Sequence, residues 1–467
     1  MYCGYITNIK NLRPHPNADR LDLGECFGNT VCVGRWEYAE GDVILYFPTD
    51  GQLSEEFCQV HDLVRRKDEN GNPAGGYLEP GKRNIRAIRL RGEKSDGLIM
   101  PLSCLAYTGV NLDELKVGDQ ITTINGHEIC CKYIPRSNSS NRRHQGGGNR
   151  TRKVKVPTAP LFTEHADTEQ LAYNLGAFKP GDEIEITLKM HGTSQRTGYL
   201  PVLQGYKRSL WDRICGRTGS PIYDWGDISG TRRVVLDNYE GGFYGSNAFR
   251  EQHAKTFEGK LMKGETVYYE VVGFTDTGAP IMSSASNKKL NDKEFVKQYG
   301  EETVFSYGCS PISHATVVDQ PYGNGFAEYV PTGPQSDIYV YRMTMTNEDG
   351  FVVEYTPDFM RYRCEQMGVK TVPLLWKGTI PEHPGSKDDP TITAGEWIKN
   401  LAERFYDGPD PIGKTHIREG VVVRVLNRPK FCAYKHKNFA FKVLEGLIKD
   451  TAEAPDMEES QEVEDNE

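Results

Sequence analysis

A lysine near the middle of the chain stands where a covalent nucleophile could act. In the segment GDEIEITLKMHGTS, positions 184, 186 and 188 are apolar and alternate with polar residues up to Lys189. A strand with this period of two puts the two sets on opposite faces, so Lys189 projects from the polar face at the end of the strand. The following Gly192 permits a tight turn close to a ligand. Taken alone, the segment also fits a solvated lysine on an amphipathic strand, because short motifs often match by chance.

Further along the chain, other segments carry the charged and aromatic residues that a nucleotide-binding site needs. They are YKRS with Arg208, VYYEVVG with Glu270, DIYVYRM with Tyr341, REGVVVRV with Glu419, and YKHKNFAF with Lys435 and Lys437. Each residue alone has an ordinary explanation, such as a core aromatic, a surface carboxylate or a solvated basic face. Their joint occurrence over about 250 residues is far more specific than any single match.

These residue types suit phosphoryl transfer at a lysine. The amine is a poor nucleophile while it is protonated, and neighbouring cations disfavour its charged form. Lys435, Lys437 and Arg208 are the candidates for that effect and for binding a triphosphate. Magnesium prefers oxygen ligands and keeps several waters, so Glu419 can hold a divalent cation directly or through water. Glu270, on an alternating strand, can accept a hydrogen bond from a ribose hydroxyl or assist the metal.

The KMHG of positions 189–192 resembles motif I of the covalent nucleotidyltransferases, in the Lys-x-His-Gly form typical of RNA ligases. The later segments resemble, in order, the element after motif I and motifs III, IIIa, IV and V of that family. The resemblance implies ATP as cofactor, with Mg²⁺ or Mn²⁺, and a covalent lysyl-AMP on Lys189. It also implies that His191 orients the motif, that Arg208 contacts phosphate and that Tyr341 stacks on the base. The implied nucleotide-binding residues are Leu188, His191, Arg208, Glu270, Tyr341, Lys435 and Lys437, with Glu419 and Glu270 at the metal.

The segment around Tyr341 departs from the family pattern at one position. Relatives of the phage duplex-sealing ligase usually have Asp after the stacking aromatic, and this chain has Arg342. The alignment of the segment is therefore open, and Tyr339 is the rival for the stacking position.

Length and composition predict a folded protein with more than one domain. The chain has 467 residues, of which 37% are hydrophobic and 10% aromatic, and its mean hydropathy is −0.59. These values exclude a disordered chain, and no apolar run approaches the roughly 18 residues of a membrane-spanning helix. The opening segment lacks the apolar stretch of a secretory signal, and the eleven cysteines have no metal-binding spacing. We expect an intracellular, cytoplasmic protein with free thiols and without a structural zinc site.

Charge is distributed unevenly along the chain. The formal net charge is −9, yet residues 450–467 carry nine acidic and no basic residues, while residues 136–155 carry seven basic and no acidic ones. The basic stretch is rich in Ser, Asn and Gly, as flexible linkers are. These shifts predict an N-terminal domain at 1–120, a basic linker at 121–160, a catalytic domain at 161–449 and an acidic disordered tail at 450–467.

The pattern of strands and helices predicts an α+β protein. Short apolar runs at 31–33 and 43–48, separated by turn residues, predict a small N-terminal β-barrel. Its HPNADRLDL segment resembles the OB-fold of tRNA-binding modules, and more closely the N-terminal OB domain of the Deinococcus-type RNA ligases. The larger part mixes strands with helical stretches at 248–261, 394–405 and 439–448. The predicted fold is an OB-fold barrel followed by a ligase-type nucleotidyltransferase domain with antiparallel sheets.

The order of the predicted domains favours an RNA ligase over a standard DNA ligase or capping enzyme. Only about 30 residues follow motif V, which leaves no room for the C-terminal OB domain of standard DNA ligases and capping enzymes. We therefore expect an ATP-dependent RNA ligase that joins 3′-OH and 5′-phosphate ends, at nicks in duplexes with RNA on the 3′-OH side.

The predicted partner is RNA or an RNA-containing nicked duplex, bound by a monomer away from membranes. One alternative is a DNA ligase or an RNA-capping guanylyltransferase with the same lysine chemistry. The other is a non-catalytic nucleic-acid-binding relative. The segments 209–260 and 279–335 have no assigned role.

Overall fold

The chain divides into two compact units. The computed structural model describes residues 2–67, 71, 73–134, 157–166, 168–215, 218–236, 239, 247–311, 315–318, 326–329, 334–385 and 391–450. The first unit comprises the described residues within Met1–Arg136, Lys289–Asn291 and Phe439–Pro455, and the second those within Ser137–Lys288 and Asp292–Asn438.

The first unit is built mainly from short strands. In chain order its N-terminal part contains β1 (Gly4–Asn8), β2 (Lys10–Pro14), β3 (Leu21–Cys26), β4 (Asn29–Gly34), β5 (Val43–Phe47), β6 (Gly51–Leu53), α1 (Glu55–Val60), β7 (Arg66–Lys67), β8 (Pro73–Gly75), β9 (Ala87–Leu90), β10 (Glu93–Asp96), β11 (Leu98–Pro101), 3₁₀ helices at Leu102–Thr108 and Leu112–Glu114, β12 (Gln120–Ile121), β13 (Thr123–Ile124), β14 (His127–Glu128) and β15 (Cys130–Lys132).

The apolar runs of these strands form one core. A sheet in the order β11-β5-β1-β12 and a second in the order β2-β3-β4 are antiparallel throughout. Ile6 pairs with Leu45 across β1 and β5, and both pack with Phe47 and Phe57 in the interior. The strands predicted from the runs at 31–33 and 43–48 are β4 and β5. The unit continues through β15, so the predicted start of the linker at residue 121 was too early, because its last strands are short and polar.

The second unit carries the predicted motifs. Its elements are β16 (Glu169–Gln170), 3₁₀ helices at Leu171–Tyr173 and Leu175–Ala177, β17 (Glu183–Lys189), β18 (Thr193–Lys207), α2 (Leu210–Ile214), β19 (Ser220–Gly230), α3 (Ala248–Lys255), β20 (Glu265–Gly273), β21 (Ala285–Ser286), a 3₁₀ helix at Asn287–Leu290, α4 (Lys293–Tyr299), β22 (Glu302–Thr303), β23 (Ala315–Val318), β24 (Phe326–Tyr329), β25 (Ser336–Thr346), β26 (Val352–Glu354), α5 (Pro357–Met367), β27 (Lys370–Thr371), β28 (Leu374–Thr379), α6 (Ala394–Glu403), β29 (Gly420–Val425) and β30 (Ala433–Lys437).

Two sheets organise this unit. One has the order β16-β30-β29-β17-β28, and the other has the order β19-β18-β20-β25-β26 with β27 beside β25. The alternation along β17 buries Ile184 and Ile186 against Val423 and the α6 residue Ile398. This packing leaves the polar residues of β17, including Lys189, on the opposite face of the sheet. The strand predicted around position 188 is therefore present, and it ends at Lys189 as expected.

The last described helix, α7 (Phe439–Asp450), belongs to the first unit. Its Lys442 pairs with Asp96 of β10 at 2.6 Å. The side-chain cations of Arg89 and Lys94 lie 5.7 and 5.3 Å from the ring centroid of Phe439. The predicted domain at 161–449 included this helix, because α7 follows β30 without a loop that would mark a boundary.

Other expectations concern thiols, membranes and the charged segments. Each of the eleven cysteines lies among the described residues and is a free thiol. Across the described ranges, the helices are all too short or too polar to cross a lipid bilayer. The basic stretch at 136–155 and the acidic tail beyond residue 450 lie outside the described residues.

Candidate active site

Two lysines and one carboxylate meet at the end of the sheet that contains β17. Nζ of Lys189 lies 2.9 Å from Oε1 of Glu419, and Nζ of Lys437 lies 3.5 Å from the same oxygen. The Glu419 side chain is 2% exposed, whereas that of Lys189 is 24% exposed. A buried carboxylate therefore holds the predicted nucleophile where an incoming ligand can reach it.

The register of three neighbouring strands creates this cluster. Lys189 at the end of β17 pairs with Gly420 of β29, which in turn pairs with Lys437 of β30. Gly420 has a φ of +153°, and a Cβ there would lie 2.1 Å from the carbonyl oxygen of His436. Only glycine allows the strands to approach so closely. The close approach places Glu419, the preceding residue, beside both lysines.

Side chains from two other segments hold the turn that follows Lys189. The His191 N–H donates to the hydroxyl oxygen of Tyr307 (2.7 Å), and the Gly192 N–H donates to Oε1 of Glu270 (3.1 Å). A Cβ at Gly192 would lie 2.3 Å from a carbonyl oxygen of β20, so this contact also requires glycine. Nδ1 of His191 lies 3.7 Å from Oε2 of Glu419. Glu270 thus positions the turn, and its roles toward ribose or metal stay predictions.

Tyr307 belongs to the segment 279–335, which had no role assigned from the sequence. Burial raises the pKa of Tyr307 well above its usual value, despite the hydrogen bond from His191, and the nearby charge of Glu419 acts in the same direction as burial. The hydroxyl therefore remains protonated. Its ring and that of Phe305 pack edge-on against His416, with centroids 4.5 and 5.3 Å apart, and Phe305 also packs against His191 at 4.5 Å. This aromatic group supports the turn.

Tyr341 lies at the irregular position of β25, where the register with β20 shifts. Its hydroxyl shares a hydrogen bond with Oγ of Ser194 (2.9 Å), and its ring centroid lies 5.0 Å from that of His165. The hydroxyl of the rival, Tyr339, donates instead to Asp337 (3.2 Å). The structure thus links Tyr341 directly to the strand that leaves the turn, and its stacking on a base stays a prediction.

The arginine that departs from the family pattern anchors β25. Arg342 forms an ion pair with Glu354, and its guanidinium lies 4.6 and 4.8 Å from the ring centroids of Tyr268 and Phe431. Its Nη1 lies 3.2 Å from Nδ1 of His165. Burial, together with the charge of Arg342, lowers the pKa of His165 well below its usual value, so the ring is neutral and can accept this bond. Arg342, which departs from the family pattern, therefore connects β25 with β26 and with the segment before β17.

Two further predicted nucleotide contacts lie on the strands of the cluster. Lys435 is two residues before Lys437 on β30, so both side chains leave the same face of that strand. Leu188 is 2% exposed, and its N–H donates to the carbonyl oxygen of Pro373 at 2.9 Å. Contacts of Lys435 and Leu188 with a nucleotide stay predictions.

Arg208 lies just beyond the end of the strand that leaves the turn. It follows β18, a strand of 15 residues that begins at Thr193 beside the turn and ends at Lys207. At about 3.3 Å per residue, a straight strand of that length spans roughly 45 Å. Nε of Arg208 donates to the carbonyl oxygen of Thr218 (3.3 Å). The contact of Arg208 with the phosphates at Lys189 stays a prediction.

The donor set at the cluster suits a magnesium-like ion held by few protein ligands. Within the described ranges, no group of three His, Cys, Asp or Glu side chains is arranged to hold a metal. Magnesium is usually held by one or two carboxylates together with waters and substrate phosphates. Glu419, which already attracts two cationic amines, fits such a site. Glu270 has one oxygen bonded to Gly192, and its pairing with Glu419 as a second ligand stays a prediction.

Comparisons with known proteins agree with this architecture. An OB-fold domain family matches residues 4–102, which lie in the first unit. An RNA ligase of Naegleria gruberi, solved as a variant with ATP and Mn, is 16% identical, with 97% of this chain and 100% of that chain covered and a TM-score of 0.52. The chain has the fold of this ligase. The α+β prediction of an N-terminal OB-fold followed by a ligase-type nucleotidyltransferase domain with antiparallel sheets is thereby confirmed.

Two other structures of the same protein give similar values. A variant with AMP and Mn is 16% identical, with 97% and 100% of the two chains covered and a TM-score of 0.53. The complex with PPi is 17% identical, with 94% and 98% covered and a TM-score of 0.50. No curated protein matches the sequence.

Proposed function

We propose that the protein is an ATP-dependent RNA ligase that works through a covalent lysyl-AMP on Lys189. The observation that carries the proposal is the cluster in which the buried Glu419 holds Lys189 beside Lys437. In this cluster the amine of Lys189 is reachable by a ligand, the carboxylate of Glu419 can hold a divalent cation, and the positive charge of Lys437 can bind phosphate. The fold shared with an RNA ligase solved with ATP, AMP and Mn supports the same activity.

The reaction has three displacements at phosphorus. First, the neutral amine of Lys189 attacks the α-phosphorus of ATP; a nitrogen–phosphorus bond forms, the bond to the bridging oxygen breaks, pyrophosphate leaves and the nitrogen loses a proton. A 5′-phosphate oxygen of the nucleic acid then displaces the lysine, which regains a proton. Finally a 3′-hydroxyl attacks the activated 5′-phosphate, loses its proton and displaces AMP.

The neighbours of the nucleophile have separate tasks in this scheme. Glu419 keeps the amine at the end of β17 before ATP binds. Lys435 and Lys437 attract the triphosphate, since charge on phosphate oxygens is what a phosphoryl-transfer site must stabilise. Tyr307 and Glu270 fix the turn through its N–H groups. Mg²⁺ or Mn²⁺ bound at Glu419 would further offset the charge of the phosphate oxygens.

The proposed substrate is a nicked duplex with RNA on the 3′-OH side of the break. It follows from the resemblance to the Deinococcus-type ligases and from the order of an OB-fold unit before the lysine-bearing unit. OB-folds bind single strands and duplex ends through basic, aromatic-bearing surfaces. We propose that the protein acts on this substrate as a monomer.

Covalent labelling tests the proposal and separates it from the alternatives. The protein is incubated with α-³²P-ATP or α-³²P-GTP and Mg²⁺ or Mn²⁺, and then supplied with nicked duplexes that have RNA or DNA at the 3′-OH. We expect label from ATP and faster sealing with RNA. Label from GTP would favour a guanylyltransferase, and equal sealing of DNA would favour a DNA ligase. If neither nucleotide labels the protein, the chain is a non-catalytic relative.

Replacing Tyr307 with phenylalanine should slow the labelling of Lys189 while the fold is kept. The change leaves the partly buried His191 N–H without its Tyr307 acceptor, a loss of about 1–3 kcal/mol, which corresponds to a roughly 10-fold lower rate if it is felt in the transition state. The measurement is the rate of AMP transfer at saturating ATP. Tyr299→Phe, in α4, is the matched control and should label at the normal rate. Equal rates for both variants would show that Tyr307 does not position the turn.

A further inference from the structure

The strand β18, which begins directly after the turn that follows Lys189, forms one arm of a long β-hairpin. β18 pairs with β19 from Arg196↔Gly230 to Lys207↔Ser220. Burial decreases along β18, from the buried Thr193 to residues that are largely exposed near Lys207. The short helix α2 follows the end of this arm and lies in the segment 209–260, which had no role assigned from the sequence.

The helix α2 presents an apolar face that is exposed. The exposed fractions of Leu210, Trp211 and Ile214 are 73%, 74% and 69%. Residues three and four apart lie on one side of a helix, so these side chains form a single patch. Tyr206 and Ile222, on the last rungs of the hairpin, are also 38% and 45% exposed, and their register places them on opposite faces of the hairpin. We call the patch formed by Leu210, Trp211 and Ile214 the hairpin tip.

Local hydrogen bonds fix the helix in this exposed place. Oγ of Ser209 accepts from the Asp212 N–H (3.1 Å), and the Asp212 carboxylate accepts from the Ser209 N–H (2.9 Å). This capping box stabilises the first turn without burial of the apolar side chains. The helix is therefore formed by its own contacts, and its apolar face is available to a partner.

The charge around the hairpin tip identifies the chemistry of that partner. Lys207, Arg208 and Arg213 flank the patch, and the carboxylate of Asp212 is engaged by Ser209. Positive charge beside an exposed tryptophan and aliphatic side chains suits nucleic acid, because cations bind phosphates while aromatic and aliphatic side chains contact bases and sugars. A protein partner would need acidic groups to match these cations.

We propose that the hairpin tip is a second nucleic-acid contact, which grips one duplex arm of the substrate away from the break. This inference rests on the proposed function, because the occupant is the ligase's own substrate. β18 extends from the turn of the nucleophile for up to about 45 Å. One turn of duplex is about 34–36 Å, so the tip reaches nucleic acid on the order of one helical turn from the ends being joined.

Binding to RNA duplexes of two lengths tests this contact without any need for catalysis. The probes are fluorescent nicked RNA duplexes with arms of about 8 or about 24 base pairs, shorter and longer than the proposed reach. The full-length protein should bind the long-armed probe about 10-fold more tightly, a difference typical of one or two stacking contacts. The combined variant Leu210→Ala, Trp211→Ala, Ile214→Ala should bind both probes equally.

A charge variant and a matched control complete the experiment. Lys207→Gln combined with Arg213→Gln should lower the slope of log Kd against log salt by about 2, since each phosphate contact contributes roughly 0.9. Phe351→Ala removes another exposed aromatic, 71% exposed in the second unit, and should bind like the unchanged protein. A cooperative thermal unfolding transition, followed by circular dichroism, reports that each variant is folded.

The possible outcomes are distinct. If the apolar variant keeps the full preference for the long arm, the hairpin tip is not a nucleic-acid contact. The same conclusion holds if sedimentation shows a dimer that the variant dissolves while RNA binding is unchanged, because the tip then binds a second copy. A protein that takes no label from ATP but loses arm-length dependence in the variant would fail as a ligase and keep the tip as an RNA-binding surface.

Discussion

Replacing Lys189 with methionine should abolish the covalent transfer of AMP to the protein. Methionine keeps an unbranched side chain of similar length at the end of β17 and removes the only atom in that side chain that can attack phosphorus. The expected result is a complete loss of label from α-³²P-ATP on a denaturing gel, with binding of duplex RNA retained. A pre-adenylylated 5′ end should still be sealed, because that last step does not use the amine.

The matched control is Lys377→Met. Lys377 lies on β28, the strand next to β17, where it pairs with Asp358 at 2.7 Å. This variant should label normally. Label on the Lys189 variant would mean that another group is the nucleophile, and the proposed mechanism would be wrong.

Replacing Glu419 with glutamine should reduce labelling by about 10²–10³-fold, the loss typical of removing one charge-stabilising group from an active site. Glutamine has nearly the same shape and removes the negative charge that holds Lys189 and, in the proposed function, would attract a divalent cation. The rate of AMP transfer is measured across a series of Mg²⁺ and Mn²⁺ concentrations. We expect the variant to need more metal as well as to react more slowly.

A variant of a second buried ion pair distinguishes a loss of catalysis from a loss of stability. Glu265 is fully buried and bonded to Arg363 at 2.8 Å in the same unit. Glu265→Gln should lower the melting temperature, because an arginine is left buried without its charge partner, and should keep labelling at temperatures where the protein is folded. If Glu419→Gln labelled as fast as Glu265→Gln, the carboxylate would have no part in the chemistry.

The strands of the candidate site were predictable because their patterns are local. The alternation of Ile184, Ile186 and Leu188 places Lys189 at the end of a strand, and the structure has β17 over those residues. The helices expected at 248–261 and 394–405 are present as α3 and α6, each somewhat shorter. Propensity and periodicity act over a few residues, so such elements can be inferred without knowledge of the fold.

Contacts between distant segments were not predictable from the residues alone. The neighbours Lys189 and Gly420 are 231 positions apart in the sequence, and only the resemblance to a family suggested that they meet. Tyr307 is one tyrosine among 25 and lies in no motif, so nothing distinguished it. The position of Arg208 at the end of β18 was not predictable for a related reason, since a cation shortly after a turn can lie near it or at the end of a long strand.

The return of the chain to its first unit has a consequence for synthesis on the ribosome. The N-terminal strands emerge first, yet α7, with its Lys442–Asp96 pair, is made only after the whole second unit. The first unit therefore lacks its last helix while about 300 further residues are translated. At typical rates this takes of the order of 15–60 s. A message truncated just before Phe439 would leave the strands that carry Lys189 and Lys437 complete, while the first unit would lack α7.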